Sequence, residues 1–275
     1  MQSWDRSNFD KDLTQVSAWC GQLYVISSDE TVSKDIIQLG HWAWDHVEIF
    51  KSLLKQDQIF VDVGAYIGHH SVAILNAFRG MVPVVSIEGQ PDYARILTMN
   101  MNLQLFRQFE VINAVASNTS GTFSVPVIEL AATRNFGSLS YVENGPVLKD
   151  EKTLVPQITL DQVLSEKKNI GLIKIDVQTF ELFVIQGSID ILKRDLPSLF
   201  IEISPSLMKS GPNYDYRRIY SLLVSLGYLL FDVLGNILPL DLIKNPEFYE
   251  EGVEWDVVAV HQRNINLLKT IPWMS

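Results

Sequence analysis

A chain of 275 residues can form one large domain or a domain with a cap, and 47% apolar with 20% charged residues excludes a disordered chain. Twenty-two lysines and arginines against 32 aspartates and glutamates leave a formal charge of −10, which argues against a nucleic-acid backbone or an anionic membrane as the main partner. The single cysteine, Cys20, excludes an intramolecular disulfide framework and a Cys-x-x-Cys zinc site, and reads as a small buried apolar residue.

The first twelve residues carry Asp5, Arg6, Asp10, Lys11 and Asp12 with no apolar run behind a basic start. No targeting segment is visible, and a cytoplasmic location is expected. Residues 1–58 read as an extension that ends in a helix over Trp42–Leu54. A ligand-binding domain is expected over 59–275. Within it the runs Ile59–Val63, Val82–Ile87, Phe109–Val115, Leu172–Asp176, Ser198–Ile203 and Tyr228–Val233 read as strands. Helical spacing over His70–Arg79, Pro91–Leu105, Glu181–Arg194 and Tyr214–Leu226 falls between them. Near-continuous apolar strands alternating with helices predict an α/β fold with a parallel sheet covered on both faces. The Ser-, Thr-, Asn-, Gly- and Pro-rich segment 117–158 breaks the alternation and reads as an inserted strand pair with a long loop, suited to a substrate lid. Ile219–Phe231 is the most apolar stretch, but its 13 uncharged residues fall short of the roughly 18–20 that span a bilayer. All six tryptophans lie near the two ends, which fits ends packed together, an aromatic wall over substrate, or a homo-oligomer interface.

The chemistry concentrates in Ile59-Phe60-Val61-Asp62-Val63-Gly64-Ala65-Tyr66-Ile67-Gly68-His69-His70. A buried strand enters a glycine-containing turn, and a helix with free N–H groups opens after it. A dinucleotide fingerprint would place glycines at 62, 64 and 67, where this chain has Asp62 and Ile67 at two of the three. A carboxylate at the start of the turn repels a pyrophosphate and suits a cationic ligand, of which S-adenosylmethionine is one. Glu88 stands 26 residues after Asp62, at the end of the second strand, where an acid can accept both hydrogen bonds of a ribose diol. The expected cofactor contacts are Asp62, Gly64, Ala65, Tyr66, Gly68, Glu88 and Gly89, with Asn113, Ala114 and Asp176 at the ends of the third and fourth strands.

On these motifs the chain resembles the FkbM family of methyltransferases. The likeness runs through Asp62-Val-Gly-Ala-Tyr-Ile-Gly68, Ser86-Ile-Glu88-Gly-Gln-Pro91, Leu97-Thr-Met-Asn100, Asn135-Phe-Gly137 and Ile173-Lys-Ile-Asp176-Val-Gln-Thr-Phe-Glu181, then through Val184-Ile-Gln-Gly187 and Pro197-Ser-Leu-Phe-Ile-Glu202. The resemblance implies a class I methyltransferase (Rossmann-like) fold, a seven-stranded sheet with helices on both faces whose last strand, Asp256–His261, runs antiparallel. It also implies methylation of hydroxyls on sugars, polyketides and similar secondary metabolites. Two positions depart from the family pattern. Gln178-Thr179 replaces a Glu-Gly pair, and Gly89 stands where a proline is usual.

An alcohol is a weak nucleophile until it loses its proton, so a base is expected near the methyl donor. Asp176 and Glu202 end neighbouring strands and are the expected base and acceptor anchor, with one carboxyl raised by the other and Asp176 assigned as base. His70 is a further catalytic candidate, and His69 beside it points elsewhere on the helix. His41, before the leading helix, and Arg134 and Asn135 in the inserted loop are candidate substrate contacts. Glu181 reads either as a substrate contact or as a cap of its own helix. No histidine spacing supports zinc, and no metal is expected. The acidic run Glu247–Asp256 reads as a solvated face. The expected activity is O-methylation of a small-molecule or glycan hydroxyl. N-methylation in the same pocket and a cofactor-binding scaffold without turnover are the alternatives.

Overall fold

Strands Ile59–Val63 (β3), Val84–Glu88 (β4), Phe109–Asn113 (β5), Ile170–Ile175 (β9), Ser198–Ile203 (β10), Tyr228–Asp232 (β11) and Trp255–His261 (β12) form one sheet in the order β11-β12-β10-β9-β3-β4-β5. The computed structural model describes residues 10–131, 135–136, 148–239 and 254–270. Five of these strands pair in parallel, and β12 lies antiparallel between β10 and β11. This is a seven-stranded sheet with an antiparallel last strand, as the family resemblance implies. β12 starts at Trp255, one residue earlier than expected.

Alternate side chains of each strand feed two cores. Phe60, Val84, Phe200 and Val258 pack on one face under helices Trp44–Leu53 (α2), His69–Ala77 (α3) and Pro91–Leu103 (α4). Val61, Val85, Ile173 and Ile201 pack on the other under Leu160–Val163 (α5), Glu181–Gln186 (α6), Ile189–Asp195 (α7), Pro205–Ser210 (α8) and Arg217–Ser225 (α9). Phe50 and Phe60 are fully buried with ring centroids 5.6 Å apart, and truncating either to alanine costs about 3–5 kcal/mol.

Three regions differ from expectation. The extension carries more than one helix: strands Leu13–Ala18 (β1) and Gly21–Ile26 (β2) make a hairpin, and helix Val32–Leu39 (α1) precedes α2. Asn100 of α4 fastens this hairpin to the sheet, accepting from the Tyr24 amide at 2.6 Å and donating to the Tyr24 and Ile67 carbonyls at 2.9 and 2.8 Å. Cys20, at the hairpin turn, is buried as expected. The helix expected over Glu181–Arg194 is two, broken at Gly187, where a Cβ would stand 2.0 Å from the Ser117 carbonyl oxygen. The insert is a three-stranded sheet, in which Gly121–Ile128 (β7) and Val115–Ala116 (β6) flank Leu148–Ile158 (β8). Among the described residues no helix is long and apolar enough to cross a membrane.

Candidate active site

A cavity of about 400 Å³ opens at the carboxyl ends of the strands, where open α/β sheets bind their ligands. Gly64, Tyr66, Glu88, Gly89, Ala114 and Asn135 line one part of it. Asp176, Gln178, Glu202, Glu254, Trp255 and Asp256 line another.

Glu88 ends β4 as a fixed acceptor. Its Oε2 accepts from the Tyr66 amide at 2.8 Å and its Oε1 from the Gln90 amide at 2.7 Å. Each oxygen keeps capacity for a further hydrogen bond. Burial, opposed by those two amides, pushes the Glu88 carboxyl up to about 7. The turn that supplies the Tyr66 amide needs φ of 52° at Tyr66, and the Tyr66 hydroxyl donates to Asp29 Oδ2 at 3.1 Å. Asp29 also accepts from the amides of Ser33 (2.7 Å), Thr31 (3.2 Å) and Phe136 (3.4 Å). One buried carboxylate of the N-terminal region thus ties the start of α1, the first turn and the insert together around the cavity. Nothing in a single sequence distinguishes Asp29 from an ordinary loop acid.

Lys174 of β9 governs the electrostatics. Its Nζ lies 3.3 Å from Asp62 Oδ1, 3.3 Å from Asp176 Oδ2 and 3.2 Å from the Gly64 carbonyl, with only 5% of its side chain exposed. Burial alone would lower its pKa, but the Asp176 and Asp62 carboxylates outweigh it and hold the ammonium above the ordinary lysine range. Burial pushes Asp176 up in turn, yet Lys174 and hydrogen bonds from Glu202 and Gln178 hold its carboxyl below the usual range. Glu202 lies well above that range, raised by burial and by the charges of Asp176, Glu254 and Asp256. The expectation of one raised carboxyl therefore falls on Glu202 and not on the assigned base. Gln178 Nε2 bridges the pair, 2.7 Å from Glu202 Oε2 and 3.3 Å from Asp176 Oδ1. Its backbone and that of Thr179 have φ of 48° and 88°, which explains a glycine as the usual second residue there.

Several expected contacts lie elsewhere. Asp62 is fully buried below the cavity, where it accepts from Ser71 at 2.6 Å and faces Lys174. It compensates an internal ammonium and does not line the cavity. Ala65 and Gly68 shape the turn without lining the cavity, and a Cβ at Gly68 would meet Leu97 Cδ1 at 2.3 Å. Asn113 donates to the Glu88 and Gly89 carbonyls at 2.8 and 3.2 Å, supporting the turn from outside the lining. Glu181 accepts from the Val177 and Thr179 amides and the Tyr214 hydroxyl at 3.1–3.3 Å, so it braces the loop before its helix, makes no cap bond to that helix and does not line the cavity. His41 borders a separate crevice with Cys20 and Trp42. Arg134 lies outside the described residues. Asn135 and Phe136 do line the cavity, as do Trp42 and Trp255, whereas Trp19 and Trp44 are exposed.

His70 lines the cavity and is buried. The Ala43 backbone approaches it, but no described group meets hydrogen-bond geometry with either ring nitrogen, and the same holds for His69. Burial, then neighbouring positive charge, pushes His69 down to about 3 and His70 well below its ordinary value. Both are neutral imidazoles at neutral pH, so neither brings a charge to the cavity. His46, which the sequence reading passed over, stands in the same wall with Nε2 3.3 Å from Asp256 Oδ2. Among the described residues no three His, Cys, Asp or Glu side chains converge as a metal site.

A family model described as the methyltransferase FkbM domain matches residues 62–230. Similar solved structures include a methyltransferase FkbM from Methylobacillus flagellatus KT, at 17% identity over 75% of this chain with a TM-score of 0.46; this chain covers 44% of that protein. Precorrin-6y C5,15-methyltransferase from Geobacter metallireducens GS-15 follows at 11% identity over 79% of this chain and 86% of that one, with a TM-score of 0.44. M. jannaschii TYW2, solved in complex with AdoMet, is 12% identical over 90% and 84% of the two chains, with a TM-score of 0.41. A search of curated proteins returns no match. The family match spans more than half of the sequence, from the Asp62 turn through β11, and so the chain belongs to the FkbM family of S-adenosylmethionine-dependent methyltransferases.

Proposed function

We propose that the protein is an O-methyltransferase acting on a hydroxyl of a small molecule, natural product or sugar. The observation that carries this reading is the Asp176–Glu202 pair, bridged by Gln178 inside the cavity. The donor, when bound, supplies a methyl group on a sulfonium sulfur that is open to in-line displacement. Glu88 suits the donor's ribose diol, because both carboxylate oxygens are already aimed by backbone amides and retain free lone pairs. Gly64, with φ of 77°, lets the turn close against β9, since a Cβ there would lie 1.7 Å from the Asp176 carbonyl oxygen.

Within the pair a proton favours Glu202, whose carboxyl is raised by burial and neighbouring carboxylates, while Lys174 favours the negative charge on Asp176. An acceptor hydroxyl placed at Asp176 becomes strongly acidic as its new C–O bond forms. A carboxylate with a depressed pKa can therefore still take that proton, and Lys174 keeps it ionised and ready. Glu202, as a hydrogen-bond donor, orients the acceptor oxygen. The pair is thus divided between proton acceptor and anchor, and no histidine is required.

The test is transfer of a deuterated methyl group from labelled donor to a panel of hydroxylated and amine-bearing acceptors, with the methylated atom assigned by NMR. O-methyl products support the reading. Products methylated on nitrogen, or saturable donor binding with no transfer to any acceptor, favour one of the two alternatives instead.

A further inference from the structure

The cavity is short of positive charge. Five carboxylates line it (Glu88, Asp176, Glu202, Glu254 and Asp256), and Lys174 is its one ammonium among the described residues, already engaged with Asp62 and Asp176. Glu202 and Asp256 are direct cross-strand partners in the antiparallel β10–β12 pair, an arrangement that is unfavourable for like charges. Glu254 lies two residues before Asp256, and its Oε1 accepts from Ser204 Oγ at 3.0 Å. Among the described residues the Asp256 carboxylate pairs with the partly exposed His46 imidazole. Even with a proton favoured on Glu202, the single net positive charge of a bound donor does not balance the carboxylates of Glu254 and Asp256 on the acceptor side.

A second observation points to a ligand in the same wall. The four ring nitrogens of His69 and His70 are buried and meet hydrogen-bond geometry with no described group, the Ala43 backbone only approaching His70, and both side chains line this cavity. Buried polar groups without partners are costly, so something polar is needed to meet them. Trp42 and Trp255, in the same lining, supply aromatic surface of the kind that attracts cations.

We propose that the acceptor is a hydroxyl compound that also carries a protonated amine, held with its ammonium at Glu254 and Asp256 and its hydroxyls toward Asp176 and the His69–His70 pair. This inference rests on the methyltransferase reading and names the substrate class for it. Acceptors bearing phosphate or carboxylate are excluded by the same carboxylates. The arrangement also selects the atom that is methylated: an amine beside carboxylates keeps its proton, so its lone pair is not available and the hydroxyl reacts.

The experiment uses the protein saturated with S-adenosylhomocysteine. Calorimetric titration with methyl glucosaminide, its N-acetyl derivative and neutral methyl glucoside compares matched probes that differ in charge. The amine should bind at least about tenfold more tightly than either neutral probe. The preference should disappear in Glu254→Gln/Asp256→Asn, with adenosylhomocysteine affinity unchanged. Equal binding of the probes, or no binding by any of them, overturns the proposal. If the double variant does not fold, the three-probe comparison on the unaltered protein decides alone. Failure to bind adenosylhomocysteine would instead count against the methyltransferase reading, so the two failures are distinguishable.

Discussion

Replacing Lys174 by methionine removes the one ammonium that Asp62 and Asp176 share, while the apolar side chain fills much of the same space. Asp62 is fully buried and Asp176 retains 31% exposure of its side chain, so water relieves the second carboxylate far more than the first. Breaking a buried ion pair from one side costs about 3–5 kcal/mol. With a urea m-value of about 3 kcal/mol/M for a chain of this size, the midpoint should fall by about 1–1.7 M. Adding Asp62→Asn should return part of that loss, with a coupling energy of about 1–3 kcal/mol. The chemistry should respond as well. Without Lys174 the Asp176 carboxyl rises, and the acidic limb of the turnover profile moves to higher pH. Urea titrations of the single and double variants, together with a pH–rate profile, measure both effects. A loss below about 1 kcal/mol with an unmoved profile would refute the claim that Lys174 sets the charge of this site.

Glu88→Gln keeps the shape of the side chain but turns an amide N–H₂ toward the Tyr66 or Gln90 amide, so adenosylhomocysteine affinity should fall by about 1–3 kcal/mol, read by calorimetry. Glu181 and Glu88 are both raised to about 7 in the folded protein, above their ordinary value of 4.5. Their contribution to stability is complete below about pH 4.5 and is lost as pH rises through 7, on the order of 3 kcal/mol each at most. Urea midpoints at pH 5 and pH 8 should show this fall, and Glu181→Gln should flatten it; a slope unchanged in that variant contradicts the assignment. Thr179→Gly relieves a β-branched residue at φ of 88° and should raise the melting temperature, by about 1 kcal/mol in stability, whereas a lowered melting temperature would show the strain is absent.

The central strands were legible because both of their faces are buried. Ile59–Val63 and Ser198–Ile203 have the same bounds in the sequence reading and in the structure. The β1–β2 hairpin was not legible, since Leu13–Ala18 is half exposed and mixes polar with apolar residues in no clean alternation. Glu88 was readable from its place at the end of a strand. Asp62 was found by position, but its pairing with the buried ammonium of Lys174, its neighbour across the β3–β9 register, was not legible. The same limit applies to the acidic wall. Asp256 reads in the sequence as the end of a solvated run and the start of the last strand, and only the pairing of β12 with β10 sets it opposite Glu202. His46 carries no motif at all, and only the packing of α2 over the sheet brings it to the cavity. Register and helix docking, rather than local pattern, placed what the sequence left unassigned.

The central claim is that Asp176 accepts the acceptor's proton while Glu202 orients the acceptor. Single-turnover methyl transfer by Asp176→Asn, at saturating donor and acceptor between pH 6 and 9, tests it most directly. Asparagine preserves size and hydrogen bonding but cannot take the proton, so the rate should fall roughly 100-fold or more with donor affinity little changed. Glu202→Gln, measured alongside, should chiefly raise the acceptor KM. Near-normal turnover by Asp176→Asn across that pH range would contradict the account and transfer the role of base to His46, which faces the same cavity.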